Sequence, residues 1–398
     1  MNILLCPLSD PGYLYPSLRV GIDLRLRGHT VSVLGNEAAA AAAKAADIDL
    51  IPVAQVGDPA AFFVKTWGFH GLNQFQAVCR AAKSVRADLL VTSVLCQGAL
   101  LAAEVLDLPV VVMGFAAHLW RYQSGADEEP ATPADRLWRE NIMLANYTLT
   151  RDQIGLAPRR DPQPQRALIG SGLLLRGHPD LEHPGAVLPA GIHHAGPCLW
   201  EPPPDPDEAA DIAAALDRVG KPVVYVHLGR IFDGGALWPR LNSAFTDGPF
   251  QAVVELGRTG RPQPDARADL LVVRKPWMGP LVERAELVLT NATSAPVLMG
   301  LSHGRPLVVA PAGSEQPLLA EACLKAGVAV RFPSDLLDDG AAVLKAARVD
   351  PAVQSRVAEI GAELSWMDRS GRTADLIEAA ASGDLTSNTF TAVAAHSG

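Results

Sequence analysis

Twice along the chain, short runs that are apolar from end to end alternate with stretches of helical periodicity. This pattern leaves few folds open. "NILLC", "TVSVLG", "ADLLVTS" and "PVVVMGF" form the first set, and "PVVYVHLG", "FQAVVEL", "DLLVVR", "ELVLT" and "PLVVAP" the second. A strand with no polar face must be covered on both sides, which is the condition of a parallel sheet in a layered α/β domain. The intervening segments read as helices. Leu18, Ile22 and Leu26 recur four apart and Gly28 stops them, and Asn36 is expected to cap a helix over "NEAAAAAAKAA". A chain of 398 residues exceeds one ordinary core. The expected division is a first Rossmann-like domain over 1–198, a proline-rich acidic linker over 199–220 and a second Rossmann-like domain over 221–366. A C-terminal helix over 367–382 that packs back on the first domain and a tail over 383–398 complete it.

Composition narrows the function classes. Hydrophobic residues make up 48% of the chain, and the mean hydropathy is positive, which excludes wholesale disorder. No apolar run reaches the ~18 residues of a membrane span, and "MNILLCPLSD" reads as a first strand rather than a signal peptide. The five cysteines are scattered without C-x-x-C spacing, so neither a zinc site nor a disulfide framework is expected, and a reducing cytoplasm is. A net charge of −9 without a basic run argues against nucleic acid as a partner.

The opening strand followed by "SDPGYLYPSL" and "RGHTV", together with "VVYVHLG" through "GLSHGRPLVVAPAGSEQPLLAEA" to "GVAV", resembles the family 1 nucleotide-sugar glycosyltransferases of the GT-B fold. The resemblance spans most of the chain. It implies two doubly wound domains facing a central cleft, with acceptor bound by the first and a nucleoside-diphosphate sugar (UDP or dTDP) by the second. It further implies a small hydrophobic natural-product acceptor, no bound cofactor or metal, and a homodimer or partner transferase as possible associations.

Position by position, the family pattern is altered. Its catalytic histidine sits in a Gly-His-x-x-Pro loop. Here Gly12 and Pro16 flank Tyr13, and the partner acid is replaced by Ser93. A phenol with a pKa of about 10 is a poor base at neutral pH. Asp10 and His118 are therefore candidate bases beside Tyr13, with a turn residue and a buried imidazole as the plainer readings. In the donor turn Asn291 takes the place of the histidine that holds the diphosphate, Ala292 and Thr293 replace glycines, and Val297 falls near the hydroxyl position. Ser294 or Ala295 is expected to cap the following helix, with Pro296 at its first position. Gly229 and Arg230 follow the first strand of the second domain, and the guanidinium is a candidate phosphate ligand or a surface group. Trp277 could stack on the base or simply pack. Glu315 and Gln316 match the acid-glutamine pair that grips sugar hydroxyls, with capping of a helix as the alternative. His70, Phe115 and Trp120 are candidate acceptor-lining residues. Loss of the dyad keeps open a repurposed enzyme or a non-catalytic auxiliary protein built on the same fold.

Overall fold

The structure is a computed structural model and describes residues 1–53, 71–115, 134–159, 164–182, 188, 190–229, 234–256, 261–313, 315–335 and 339–386. His70, His118, Trp120 and Arg230 lie outside the described residues.

Two parallel sheets organise the chain. In the first, β1 (Asn2–Cys6), β2 (Thr30–Gly35), β3 (Asp49–Pro52), β4 (Leu89–Ser93), β5 (Val110–Gly114), β6 (Gly172–Leu175) and β7 (Ile192–His194) lie in the order β3-β2-β1-β4-β5-β6-β7. The second has β8 (Val223–His227), β9 (Gln251–Glu255), β10 (Leu270–Val273), β11 (Leu287–Thr290), β12 (Leu307–Val309) and β13 (Ala329–Arg331), in the order β10-β9-β8-β11-β12-β13. Register pairs Leu5 with Val91 across β1 and β4, and Leu289 with Val226 across β11 and β8.

The all-apolar strands are explained by their two covered faces. Ile3, Leu5, Leu89 and Val91 point into one cluster of the first domain, and Leu4, Cys6 and Leu90 into the other. In the second domain Tyr225, Val253 and Val288 face one layer, and Val224, Val254 and Leu289 the opposite one. Such residues have no polar side to offer.

Two local expectations are corrected. Asn36 makes no side-chain cap; a 3₁₀ turn at Glu37–Ala39 precedes the helix Ala40–Ala45, and the Asn36 amide donates to Ser9 Oγ at 3.1 Å. The stretch expected as linker holds the helix Pro206–Val219. Asp205 caps it by accepting from the amides of Asp207 and Glu208, Pro206 stands where no amide partner is needed, and Ile212 and Leu216 enter the core of the second domain. The proline-rich stretch expected as linker thus contains a helix start at Asp205 and Pro206.

The domains are tied at several points. Phe115 and Leu181 from the first pack into the core cluster of the second. His178 lies 2.8 Å from Glu363, and Arg356 pairs with Asp180. The Glu201 carboxylate accepts the amides of Met278 and Gly279 at 2.8 and 2.6 Å, capping the helix Gly279–Arg284. The long helix Pro351–Arg369 buries Val357, Ile360 and Leu364 in the second domain. After Gly371, at φ +72, the helix Arg372–Ala381 buries Leu376 and Ile377 in the first. There Arg27 bonds Asp375 and Glu378, and Glu378 also holds His29 at 2.8 Å.

Candidate functional site

In open parallel sheets the ligand crevice forms where neighbouring strands send their chains in opposite directions. In the first domain this point lies between β1 and β4, and in the second between β8 and β11.

At the first crevice, the chain leaves β1 and enters the helix Pro11–Leu26. Asp10 is its N-cap: Oδ1 accepts from the Gly12 amide at 3.1 Å. That bond gives Asp10 a role in building the loop, the turn reading of this residue. Tyr13 occupies the first turn of the helix, part-exposed and packed against the core layer that contains Leu8, Val94 and Cys96. Across the crevice Ser93 ends β4, its hydroxyl 3.2 Å from Cys96 Sγ, a thiol that burial pushes up in pKa. Gln74 and Gln97, on the adjacent helices Gly71–Val85 and Gln97–Leu106, are buried; among the described residues the oxygen of Gln97 finds no hydrogen-bond partner, and the Gln74 carboxamide meets only the Cys96 thiol, whose ionised form it favours.

Arg176, just beyond β6, completes this crevice and escaped the sequence reading. It is only 5% exposed. Its Nε and Nη2 donate to the Pro197 carbonyl at 3.1 and 2.9 Å, and Nη1 to the Gly12 carbonyl at 3.3 Å. Its guanidinium carbon stands 5.7 Å from the ring centre of Phe115. Burial lowers its pKa. Phe115 itself is 3% exposed and locked into the second domain's core, which leaves little of the ring for an acceptor.

The second crevice shows how the altered donor turn is built. Asn291 is 3% exposed. Its Nδ2 donates to the Leu228 carbonyl at 3.2 Å, while Oδ1 accepts from the Thr293 amide at 3.3 Å and the Thr293 hydroxyl at 3.2 Å. The carboxamide is thus a brace between the two loops. Gly229, at φ +81, is obligatory beside it, because a Cβ there would stand 2.1 Å from Asn291 Nδ2. Ala292 takes a left-handed φ of +64 where a glycine would be unstrained, held by its amide bond to Thr290 Oγ1 at 3.1 Å.

The helix Ser294–Ser302 follows, with Thr293 rather than Ser294 or Ala295 as the cap residue. Pro296 is consequently its third residue, still within the turn whose amides have no partner inside the helix. Val297 donates to the Thr293 carbonyl. Among the described residues, the amides of Ser294 and Ala295 meet no acceptor within the chain. Two backbone donors and the positive end of a helix therefore face the crevice.

Farther along, Gln316 is 1% exposed and its Oε1 accepts the amides of Ala312 and Gly313 at 2.9 and 3.2 Å, folding the loop that precedes the helix Gln316–Lys325. Glu315 is the part-exposed member of the pair. Trp277 is 2% exposed among Leu281, Val282 and Val288, the packing reading of this residue. The neighbouring Lys275 pairs with Glu208 at 2.7 Å. Among the described residues no group of three His, Cys, Asp or Glu side chains could hold a metal ion, and no helix is long and apolar enough to cross a membrane.

No family model matches the chain. It is 26% identical over 316 residues to the 4'-demethylrebeccamycin synthase of Lentzea aerocolonigenes, covering 73% of each. It is 24% identical over 172 residues to the NDP-glycosyltransferase YjiC of Bacillus subtilis strain 168, 41% of this chain and 43% of that one. Among solved structures, the glycotransferase of kitacinnamycin superposes with a TM-score of 0.73 at 21% identity, covering 95% of this chain and 98% of its own. The calicheamicin glycosyltransferase CalG4 gives 0.68 at 22%, with the same coverage. The spinosyn rhamnosyltransferase SpnG complexed with thymidine diphosphate gives 0.67 at 18%, covering 95% and 100%. The architecture of two parallel sheets flanked by helices is that of the GT-B glycosyltransferases.

Proposed function

We propose that this chain, a relative of natural-product glycosyltransferases with their two-domain fold, moves a sugar from a nucleoside diphosphate to a small hydrophobic acceptor. The donor is a dTDP- or UDP-sugar. The observation that carries this reading is the unspent N-terminus of the helix Ser294–Ser302, whose Ser294 and Ala295 amides meet no acceptor within the described chain at the β8/β11 crevice. Two amides and a helix dipole suit the developing negative charge of a leaving diphosphate. Asn291 acts by holding the turn open beneath the phosphates rather than by touching them, since its carboxamide is committed to Leu228 and Thr293. Arg230, directly after Gly229, would add the charge that a histidine-free turn lacks. Glu315 is the better of the acid-glutamine pair for a sugar hydroxyl, because Gln316 Oε1 is engaged with its own loop.

The acceptor would enter at the β1/β4 crevice, near Tyr13, Gln74 and Gln97, with its hydroxyl turned toward the second domain. His70, His118 and Trp120 belong to the segments that would line it. A second reading, nucleotide binding without transfer, draws on the same self-engaged Asn291 and Gln316.

The test is a thermal titration of the full chain with thymidine and uridine diphosphates, followed by incubation of dTDP- and UDP-sugars with an acceptor panel. A nucleotide at 100 times its Kd should stabilise the fold by about 2.7 kcal/mol. No stabilisation by either nucleotide refutes the proposal. Stabilisation with no sugar transferred to any acceptor favours the second reading.

A further inference from the structure

We infer that Arg176 is a positioning residue: its guanidinium ties the loop after β1, at Gly12, to the joint between the two domains, so that nucleotide bound by the second domain is felt on the acceptor side. The inference rests on the transferase reading above and deepens it.

A buried cation is a costly way to hold a loop. Arg176 is buried, and among the described residues no carboxylate pairs with it: Asp368 pairs with Arg19, and Asp180 with Arg356. Its bonds go instead to two backbone carbonyls from different segments. Nε and Nη2 both donate to Pro197, at 3.1 and 2.9 Å, and Nη1 donates to Gly12 at 3.3 Å. A guanidinium suits this task because it is planar and rigid, with donors that point to different sides. Two carbonyls held by one rigid plane do not move independently, so a displacement of the chain at Pro197 is passed to Gly12. An ammonium on a flexible stem would hold one carbonyl or the other.

Pro197 lies in the first of two crossings between the domains. Its neighbours Gly196 and Cys198 both have positive φ, +111 and +52. Cys198 is not a glycine, and such a backbone persists only where its surroundings impose it. The second crossing passes against the first: a Cβ on Gly196 would stand 3.0 Å from the Cβ of Met367. Leu199 is held on both sides, its amide donating to Asp368 at 2.8 Å and its carbonyl accepting from Arg19 Nη1 at 3.3 Å. Domains turn about a few residues of this kind, at the ends of elements.

Arg176 is also joined to the second domain through its own chain. It leads from β6 to His178 and the helix Pro179–Glu182. The Asp180 amide donates to His178 Nδ1 at 3.2 Å, so Nε2 carries the ring proton and donates to Glu363 at 2.8 Å. Asp180 itself pairs with Arg356, and Leu181 enters the second domain's core. Both partners, Arg356 and Glu363, belong to the helix Pro351–Arg369. Phe115, whose ring centre is 5.7 Å from the guanidinium carbon, packs into that same core. The side chain that holds Gly12 is thus fixed to the second domain both across space and along the chain.

Domain closure on a ligand acts through such a joint. A nucleoside diphosphate at Ser294 and Ala295 biases the placement of the second domain, and the crossing at Pro197 follows. The guanidinium then resets the Gly12 carbonyl, and with it the Tyr13 amide of the same peptide unit.

The experiment titrates thymidine diphosphate into the isotopically labelled full chain and follows the backbone amides by nuclear magnetic resonance. In the wild type, the Gly12 and Tyr13 amides should shift along the same binding curve as those of Ser294 and Ala295. In Arg176→Gln the Ser294 and Ala295 shifts should remain, while those of Gly12 and Tyr13 fall by about half or more. Arg176→Lys should resemble Arg176→Gln; a lysine that restores the response would show that charge alone suffices and overturn the inference. Should the Arg176 variants fail to fold, Asp180→Asn combined with Glu363→Gln releases the segment at two solvent-accessible side chains and leaves Arg176 in place. It should give the same selective loss. Gly12 and Tyr13 amides that stay still in the saturated wild type, or that respond in full in the variants, overturn the inference. Ser294 and Ala295 amides that do not respond at all remove the donor reading, and this inference with it. A response there without one at Gly12 removes this inference alone.

Discussion

Asn291→Ala tests whether the altered donor turn is held by its own side chain. In the wild type the carboxamide makes three contacts: to the Leu228 carbonyl at 3.2 Å, from the Thr293 amide at 3.3 Å and from the Thr293 hydroxyl at 3.2 Å. Truncation leaves the Leu228 carbonyl, in a residue 5% exposed, without this partner, at a cost of about 1 kcal/mol or more. The Thr293 amide loses its capping acceptor, worth about 1 kcal/mol. The Thr293 hydroxyl can turn to water and contributes little. The sum is about 2–3 kcal/mol, to be read from urea unfolding as a lower midpoint at unchanged slope. The companion is Gly229→Ala, in which a Cβ would come within 2.1 Å of Asn291 Nδ2 at a backbone φ of +81. Because the collision is with the very side chain that Asn291→Ala removes, the double variant should lose clearly less than the two singles added together. A loss under about 0.5 kcal/mol for Asn291→Ala, a size ordinary for surface substitutions, or strict additivity with Gly229→Ala, would refute the brace.

Two further predictions concern the first domain. His194 is pushed down to about 4, chiefly by burial, with Nδ1–H donating to the Gly177 carbonyl. Its unfolded pKa near 6.5 is higher, so the unfolded chain binds the extra proton between these values. Stability is therefore lost as pH falls from about 6.5 to 4, by up to about 3 kcal/mol. Urea unfolding across that window should show His194→Gln losing less than wild type; identical slopes contradict the assignment. Gln74→Met should be neutral or up to about 2 kcal/mol more stable in urea, since among the described residues the two buried polar atoms it removes have no partner beyond the weak Cys96 thiol contact. Its acceptor turnover should fall all the same, and a destabilised Gln74→Met would mean that the carboxamide is part of the fold.

The sheets were legible because each strand had to be apolar on both faces, so Ile3 and Leu4, or Val288 and Leu289, announced a layer on either side. Asp205 and Pro206 carried a helix-start signal too, hidden inside a proline-rich stretch that reads as spacing. Asn36 illustrates the reverse: a good capping residue whose amide is drawn to Ser9, 27 positions away. For the donor turn, the alignment of Asn291 with a phosphate-holding histidine gave its position but not its orientation, which depends on a carbonyl 63 residues earlier. Arg176 carried no local signal at all. Its setting comes from Gly12, Phe115 and Pro197, distant in the chain and assembled only by β-sheet order.

The central claim is that the open end of the helix Ser294–Ser302 receives a nucleoside diphosphate. Thymidine diphosphate titrated into isotopically labelled protein, with each backbone amide followed by nuclear magnetic resonance, tests it directly. The Ser294 and Ala295 amides should shift first and saturate together with the binding curve. If they remain still at saturating nucleotide while another surface responds, or nothing responds, the account is contradicted.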